Sequence, residues 1–593
     1  MDRLLAHCGK GSSDDRVMDS NTLEKERGIT ILSKYVSFMY KDHLINALDT
    51  PGHADFGGEV ERVLGMVDGT VLLVDATEGP LAQTKFVLEK ALKKGFKPIV
   101  VLNKVDRESA TPERCGAVES QLFDLFASLG ATDEQLDFTV LYASAKQGWA
   151  TRTLPIGGQA PPNASMEPLL DAILKVIGPP PAPLDLPFSM TVSMIERDSY
   201  IGRIATGRVA TGSAKLGDKV RVLHHDGRVS EDCKVLKVMK RVGQDKVYLD
   251  EAIAGDVVSI AGVPLAGIAD TIASPLVTKA LDPGRIDPPT LSMVFGTNDS
   301  PLAGRSGKAV TGRAIGERLM AEAETSVSLR VTSLSGSGEK YEVQARGELQ
   351  LGILIENMRR EGMELAVSPP QVLIKVEDGV TMEPLEEVMC EVTDEAAGQV
   401  IMSLGLRKAE LTEMLPIAAG KQRLTFVMPS RGMIGFKTVF VNITRGEGLM
   451  SRAFLRYDKH RGPMDLRGKG VLVCTAEGKA TRDALGDLQQ RGIFFIEPGA
   501  DLYGGMVVGE NTRDQDLDVN PSKKKVVSNV RCVEADEKIF LAAPRIMNLE
   551  DAIGYVAADE LIEVTPSAVR LRKAILDPTL RKNHARKMQN QGR

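Results

Sequence analysis

Lys97-Pro98-Ile99-Val100-Val101-Leu102-Asn103-Lys104-Val105-Asp106 runs from an apolar, β-branched segment into a polar loop. The segment reads as a buried strand, so Asn103 and Asp106 fall just past its end, where doubly wound α/β sheets hold their ligands. An Asp in that loop selects guanine. Its two oxygens accept the N1–H and N2–H2 donors that adenine lacks, and a buried acceptor left unpaired by the wrong base costs about 1–3 kcal/mol. Lys104 would lay its stem along the ring. Taken alone, Asn-Lys-x-Asp is as readily a polar turn, and its neighbours along the chain decide the reading.

Upstream, His43 to Leu48 is a second mostly apolar run, read as a buried strand that ends at Asp49 of Asp49-Thr50-Pro51-Gly52-His53. The Asp49 carboxylate would reach Mg2+ through a water. The Gly52 N–H could bond a γ-phosphate only while that phosphate exists, which makes the segment behind it a candidate switch. His53 sits where an attacking water must be held. An ordinary Pro-Gly turn with a surface histidine is the plain alternative for this segment alone. Downstream, Ser144-Ala145-Lys146 follows the run from Thr139 to Ala143, and the Ser144 and Ala145 amides would serve the base oxygen. Glu24-Lys25-Glu26-Arg27-Gly28-Ile29-Thr30-Ile31 would be a first switch, with the Thr30 hydroxyl and carbonyl offered to Mg2+ and the γ-phosphate. As bare chemistry, a charged helix end, a Gly breaker and a strand start explain that stretch equally well.

Asp19-Ser20-Asn21-x-Leu23-Glu24-x-Glu26-Arg27-Gly28-Ile29-Thr30-Ile31, Asp49 to His53, and Asp55-Phe56-Gly57-Gly58-Glu59-Val60-Glu61-Arg62-Val63 resemble the BipA/TypA family of ribosome-associated translational GTPases. The likeness extends over nearly all 593 residues. Asp299 to Gly304 and Met320 to Thr325 are most similar to plant-type organellar members. The resemblance implies a multidomain fold of α/β, β-barrel and α+β parts, with GTP/GDP and Mg2+ bound in the first. Such members open with a strand, a Gly-x-x-x-x-Gly-Lys-Thr loop and a helix, and Met1 to Leu5 resembles the middle of that helix. Gly9-Lys10-Gly11-Ser12 does not replace the loop, because Gly11 stands where Ser or Thr belongs and no strand precedes it. The sequence therefore predicts a truncation within or before the phosphate loop. Two smaller departures are Gln350 after Gly-Glu-Leu and Asn511, each where the family pattern has His.

The chain is 43% apolar and 26% charged, a soluble and globular composition of about four domains by length. No apolar run of membrane-spanning length occurs, and the opening residues carry no secretion signal. Six scattered cysteines without Cys-x-x-Cys spacing argue against a zinc site and a disulfide scaffold and fit a reducing compartment. Net charge is −6, so no global basic field announces nucleic acid. Locally, Lys523-Lys524-Lys525 and the region from Arg570, Arg572 and Lys573 onward are basic and suit phosphate contact, or form a solvated tail.

Composition shifts and the resemblance together divide the chain into six parts. Residues 1–183 are the GTP-binding domain, an incomplete doubly wound sheet ending in the stiff Gly178-Pro179-Pro180-Pro181-Ala182-Pro183 linker. A β-barrel of translation-factor type occupies 187–285. Two ferredoxin-like α+β domains follow at 286–382 and 383–461, then the family's C-terminal domain at 462–570 and a basic tail at 571–593. Leu351, Leu354, Ile355 and Met358 share one helical face, which reads as core.

The resemblance implies a monomeric GTPase acting on the ribosome in assembly or in translation under stress. His53 would be catalytic, with rRNA pressing it against the water. Asp49, Gly52, Asn103, Lys104, Asp106, Ser144 and Ala145 would hold nucleotide, and Thr30 and Asp49 the Mg2+. Implied partners are rRNA and an A-site tRNA, with no membrane, in the cytoplasm of a bacterium or in a mitochondrion or chloroplast. The competing expectation is a hydrolysis-deficient ribosome- or RNA-binding remnant, which nucleotide binding discriminates.

Overall fold

The computed structural model describes residues 1–9, 18, 22–155, 160–198, 200–224, 227–243, 245–284, 288–326, 328–334, 339–418, 420–464, 467–523 and 540–591. They form two units, one of residues 1–288 with 322–328 and 451–453, the other of 289–321, 329–450 and 454–593.

The first unit opens with helices α1 (Asp2–His7) and α2 (Thr22–Arg27), then strands β1 (Lys34–Tyr40) and β2 (His43–Asp49) and helix α3 (Gly57–Leu64). The apolar runs then supply β3 (Val71–Asp75), β4 (Ile99–Asn103) and β5 (Thr139–Ser144), which pair in parallel, with β6 (Trp149–Thr151) antiparallel at the edge. Parallel strands need crossovers, here α4 (Ala82–Lys93) and α5 (Pro112–Ser128). Alternation sorts the side chains of β4 onto two faces. Val100 and Leu102 pack with Leu88, Leu92, Cys115, Leu122 and Phe126. Ile99 and Val101 pack with Leu169 and Ala172 of α6 (Glu167–Val176) on the other face. Both faces of the sheet are thus covered.

The hairpin β1–β2 departs from expectation. Its strands pair from Tyr40↔His43 to Lys34↔Asp49 across Lys41 and Asp42, both at positive φ (45° and 63°), as a two-residue turn with matching twist requires. Yet β1 continues into the barrel sheet through a parallel pair, Ser37↔Val242, and not into β3–β6. The run read as a buried strand is therefore an edge among the described residues: His43 is exposed and Leu44 is 47% exposed.

The barrel contains β7 (Ser189–Asp198), β8 (Gly202–Thr211), β9 (Lys219–Leu223), β10 (Lys237–Val242), β11 (Val257–Ala261) and β12 (Thr271–Ala273), in the sheet order β9-β12-β7-β8-β11-β10. Gly207 is required where β7 and β8 approach, since a Cβ there would stand 1.8 Å from the Thr191 carbonyl oxygen. Tyr35 of β1 bonds the Ser259 hydroxyl at 3.0 Å, Ser259 bonds Thr206 at 2.7 Å, and Asn46 of β2 donates to Asp256 at 3.0 Å.

In the second unit, β13 (Leu291–Gly296), α7 (Gly312–Thr325), β14 (Arg330–Ser333), β15 (Lys340–Ala345), α8 (Glu348–Arg360) and β16 (Leu365–Val367) form a sheet ordered β14-β15-β13-β16. On α8 the predicted face of Leu351, Leu354, Ile355 and Met358 is buried. The same βαββαβ order recurs in β17 (Val380–Thr393), α9 (Asp394–Leu406), β18 (Glu410–Ala418), β19 (Lys421–Pro429), α10 (Phe436–Ile443) and β20 (Leu449–Lys459). Strand β16 then pairs with β21 (Glu560–Val564), which pairs with β22 (Val569–Lys573), so the last region extends the sheet of the region 289–372.

Buried charge fills that seam. Glu563 accepts bonds from Asn298, Ser300, Tyr503 and Arg570, and Glu364 accepts the amides of Gly304, Ser306 and Gly307. The Arg572 side chain is 1% exposed and pairs with Asp299, and Lys573 is 2% exposed and pairs with Asp516, Asp559 and Glu560. Arg570 pairs with Glu563 at 3.0 Å. The charges of these three residues, which the sequence offered as phosphate contacts, are thus paired with the unit's own acids, Arg572 and Lys573 from within the buried sheet. Asn511 donates to the Gln515 carbonyl and Gln350 accepts the Arg346 amide, so each departure from His closes a local backbone bond.

Phe126 is fully buried and stacks on Phe138 at 4.4 Å. Phe126→Ala should destabilise the first unit by about 3–5 kcal/mol, seen as an earlier denaturant midpoint for its transition.

Candidate functional site

Three strand ends meet in register. Asp75 of β3 lies opposite Asn103 of β4, and Asn103 lies opposite Ala143 of β5. The Asn103 carbonyl accepts the Ala76 amide at 2.9 Å, and the Ala143 carbonyl accepts the Val105 amide at 3.3 Å. Across the gap between the two loops, the Asn103 Oδ1 accepts the Ala145 amide at 3.0 Å. The side chain of one predicted motif is therefore the clamp on the other. Ser144 is fully buried, its hydroxyl accepting the Gln147 amide at 3.3 Å and its carbonyl the Gly148 amide at 2.8 Å. Ala145 stays exposed and Asp106 half-buried, so the loops end in groups open to a ligand.

Lys104 adopts φ 65°, a left-handed conformation that costs a non-glycine residue. Its ammonium reaches back to Asp75 at 2.8 Å, which lays the side chain over the strand ends. Asp75 was not singled out from the sequence. Its Oδ1 accepts the Thr77 amide at 2.8 Å and the Thr77 hydroxyl at 2.7 Å. Partial burial opposes its charge, but Lys104 and Thr77 outweigh that and hold its pKa at about 2. The signal was present: Val71-Leu72-Leu73-Val74-Asp75-Ala76-Thr77-Glu78-Gly79 repeats the pattern of an apolar run, an Asp and a Gly turn seen at Asp49.

Asp49 ends the other sheet's hairpin, with Thr30 in the segment before it and Gly52 and His53 just after it. The pair Lys34↔Asp49 brings the segment after α2 to the Asp49 end of β2. Thr30 is half-buried, and Gly52 is exposed with nothing within 4 Å of where a Cβ would stand. The His53 Nδ1 accepts the Asp55 amide at 3.2 Å, and the ring packs edge-on to Phe56, leaving it one-third exposed. Among the described residues no cluster of three or more His, Cys, Asp or Glu could hold a metal by itself. One carboxylate and one threonine fit a hard cation that keeps its waters and takes further oxygens from phosphate. Lys523 is exposed and its carbonyl accepts the Thr481 hydroxyl, while Lys524 and Lys525 lie outside the described residues.

Residues 1–179 match the Elongation factor Tu GTP binding domain, 187–274 Elongation factor G domain 2, 380–466 the Elongation factor G C-terminus and 469–578 the TypA/BipA C-terminal domain. The chain is 47% identical over 557 residues to the large ribosomal subunit assembly factor BipA of Synechocystis, covering 94% of this chain and 92% of that one. It belongs to the BipA/TypA family of translational GTPases. The factors of the same name from Bacillus subtilis and Escherichia coli K12 are 45% and 44% identical, over 100% and 97% of this chain and 96% and 94% of theirs. A solved structure from Thermus thermophilus shares the fold at a TM-score of 0.51 and 16% identity, over 78% of this chain and 94% of that one. The part that matches a GTP binding domain, residues 1–179, is the part whose strand ends carry Asp75, Asn103 and Ser144. No described helix is long and apolar enough to cross a membrane.

The Asp75 carboxylate gives a pH test. Its folded pKa is depressed, so its contribution to stability is complete above the unfolded value near ~3.9 and is lost as pH falls through about 2. Asp75→Asn should speed hydrogen exchange of the Asn103–Arg107 amides at pH 7, and the stability gap to wild type should close between about pH 4 and pH 2.

Proposed function

We propose that the chain hydrolyses GTP in the service of large ribosomal subunit assembly, as the names of its relatives describe for them, with rRNA and a tRNA acceptor end as the surfaces it meets. The observation that carries the reading is the Asn103–Ala145 clamp over in-register strand ends, which holds a base-reading loop rigid before any base arrives. In this reading Asp106 accepts the guanine N1–H and N2–H2, Lys104 covers the ring, and the Ser144 and Ala145 amides meet the base oxygen, the Ala145 N–H being shared between that oxygen and Asn103 Oδ1. Thr30 and Asp49 hold Mg2+, which when bound neutralises phosphate charge. Gly52 offers its amide to the γ-phosphate. His53 orients the attacking water, and hydrolysis is slow until a ribosomal surface fixes the imidazole.

The bacterial names favour the cytoplasm, and the organellar resemblance favours a plastid or mitochondrion. We also read the two βαββαβ sheets as ferredoxin-like, and keep the six-part division of the chain as the working arrangement. Peptide mapping of the native N-terminus tests the expectation of a Gly-Lys-Thr loop ahead of Met1.

His53→Ala should lower ribosome-stimulated GTP turnover by about 10²–10⁴-fold while GDP affinity and ribosome binding persist; unchanged turnover removes His53 from the mechanism. Asp106→Ala should narrow the preference for GTP over ATP by about 10-fold or more, read by competition binding.

A further inference from the structure

Glu24 is fully buried on α2, which is unusual for a carboxylate and needs a reason. Its Oε1 accepts two backbone amides, from Ile31 at 3.0 Å and Leu32 at 3.1 Å. Its Oε2 meets the Lys34 ammonium at 2.6 Å, and that side chain is itself only 9% exposed. One carboxylate therefore ties the first turn of α2 to the chain seven, eight and ten residues further on. The loop it closes contains Gly28, at φ 68°, and Thr30.

The geometry fixes more than the loop's position. In a trans peptide the N–H and C=O point in opposite directions. The Thr30–Ile31 peptide turns its N–H to Glu24, so its carbonyl, that of Thr30, is directed away from the buried carboxylate. Lys34 adds the second constraint. It stands opposite Asp49 in the antiparallel register, and directly opposed side chains share a face. The Glu24 ion pair thus anchors Thr30 at the same end of the hairpin as Asp49.

We propose that Glu24 is a positioning residue for GTP hydrolysis, setting the direction of the Thr30 carbonyl and holding it beside the Asp49 strand end. The proposal rests on the reading of Thr30 as an oxygen donor to Mg2+ and the γ-phosphate. Burial opposes the charge on Glu24, yet the Lys34 ammonium and the Ile31 and Leu32 amides keep its pKa below the ordinary value, so the clamp is anionic at neutral pH.

The test uses the purified full chain and the variants Glu24→Ala, Glu24→Gln, Lys34→Met and Thr30→Ala. The first readout is tryptic cleavage after Arg27, followed by mass spectrometry without nucleotide. Glu24→Ala should raise that rate about tenfold or more. Glu24→Gln should fall between it and wild type, because it retains the oxygen that accepts both amides and loses the charge that meets Lys34. The second readout, taken below the melting transition that loss of the Lys34 partner lowers, is the Mg2+ dependence of GTP turnover, whose half-saturation should rise about tenfold in Glu24→Ala while GDP affinity stays near wild type. Unchanged cleavage in Glu24→Ala overturns the clamp. A Mg2+ dependence altered by Thr30→Ala but not by Glu24→Ala overturns the positioning role. If Thr30→Ala leaves the Mg2+ dependence unaltered, the hydroxyl is removed from the Mg2+ site and the carbonyl stands or falls on Glu24→Ala, whose unaltered Mg2+ dependence overturns the positioning role. Should Glu24→Ala not fold, Glu24→Gln and Lys34→Met carry the same comparisons, with smaller shifts expected and no shift in either overturning the proposal.

Discussion

Parallel pairing in register is the constraint on which the nucleotide end of the molecule depends. Because β3, β4 and β5 align residue for residue, Asp75, Asn103 and Ala143 stop at one level, and three loops leave the sheet side by side. Each loop then binds its neighbour through groups the alignment has already brought within reach. Asn103 holds the Ala145 amide, and Asp75 holds the Lys104 ammonium. The apolar faces beneath make this rigid, since Val100 and Leu102 pack on one side of β4 and Ile99 and Val101 on the other, and a slip of one residue would exchange the two sets and misfit both faces.

The second unit solves a different problem with buried charge. An extended sheet running from β14 through β16 into β21 and β22 joins two sequence regions far apart in the chain. Apolar packing alone would tolerate several registers there. The acids Glu364, Glu560 and Glu563, each satisfied by named donors, tolerate one, because a buried charge separated from its partners costs several kcal/mol. The loop from Asn298 to Gly307 is shaped by the same demand, its amides converging on the Glu364 carboxylate.

How much of this was legible follows from where the information sits. Strand ends and the buried face of α8 are written in local pattern, and local pattern was enough to bring Asn103, Lys104, Asp106, Ser144 and Ala145 to neighbouring strand ends. The pairing partner of a strand is not local. His43 to Leu48 has the composition of a buried strand, and nothing within it says that β1 will turn to the barrel and leave β2 as an edge. The same limit explains Arg572 and Lys573. A basic run reads as surface until the acids opposite it, Asp299 and Glu560 among them, are known to face it. Asp75 escaped for the opposite reason: its pattern was local, but its partner Lys104 had been assigned wholly to the base.

The bonds from Tyr35 to Ser259, from Ser259 to Thr206 and from Asn46 to Asp256 give the proline-rich segment at 178–183 a meaning that its composition hides. It is a seam in the chain and not in the folding unit. A fragment cut there would keep the nucleotide motifs intact, yet it would uncover the buried Tyr35 and Ser37 and strip β1 of its Ser37↔Val242 neighbour. Ser259 and Asp256, remote in sequence from every nucleotide motif, are in that sense part of the foundation beneath Asp49.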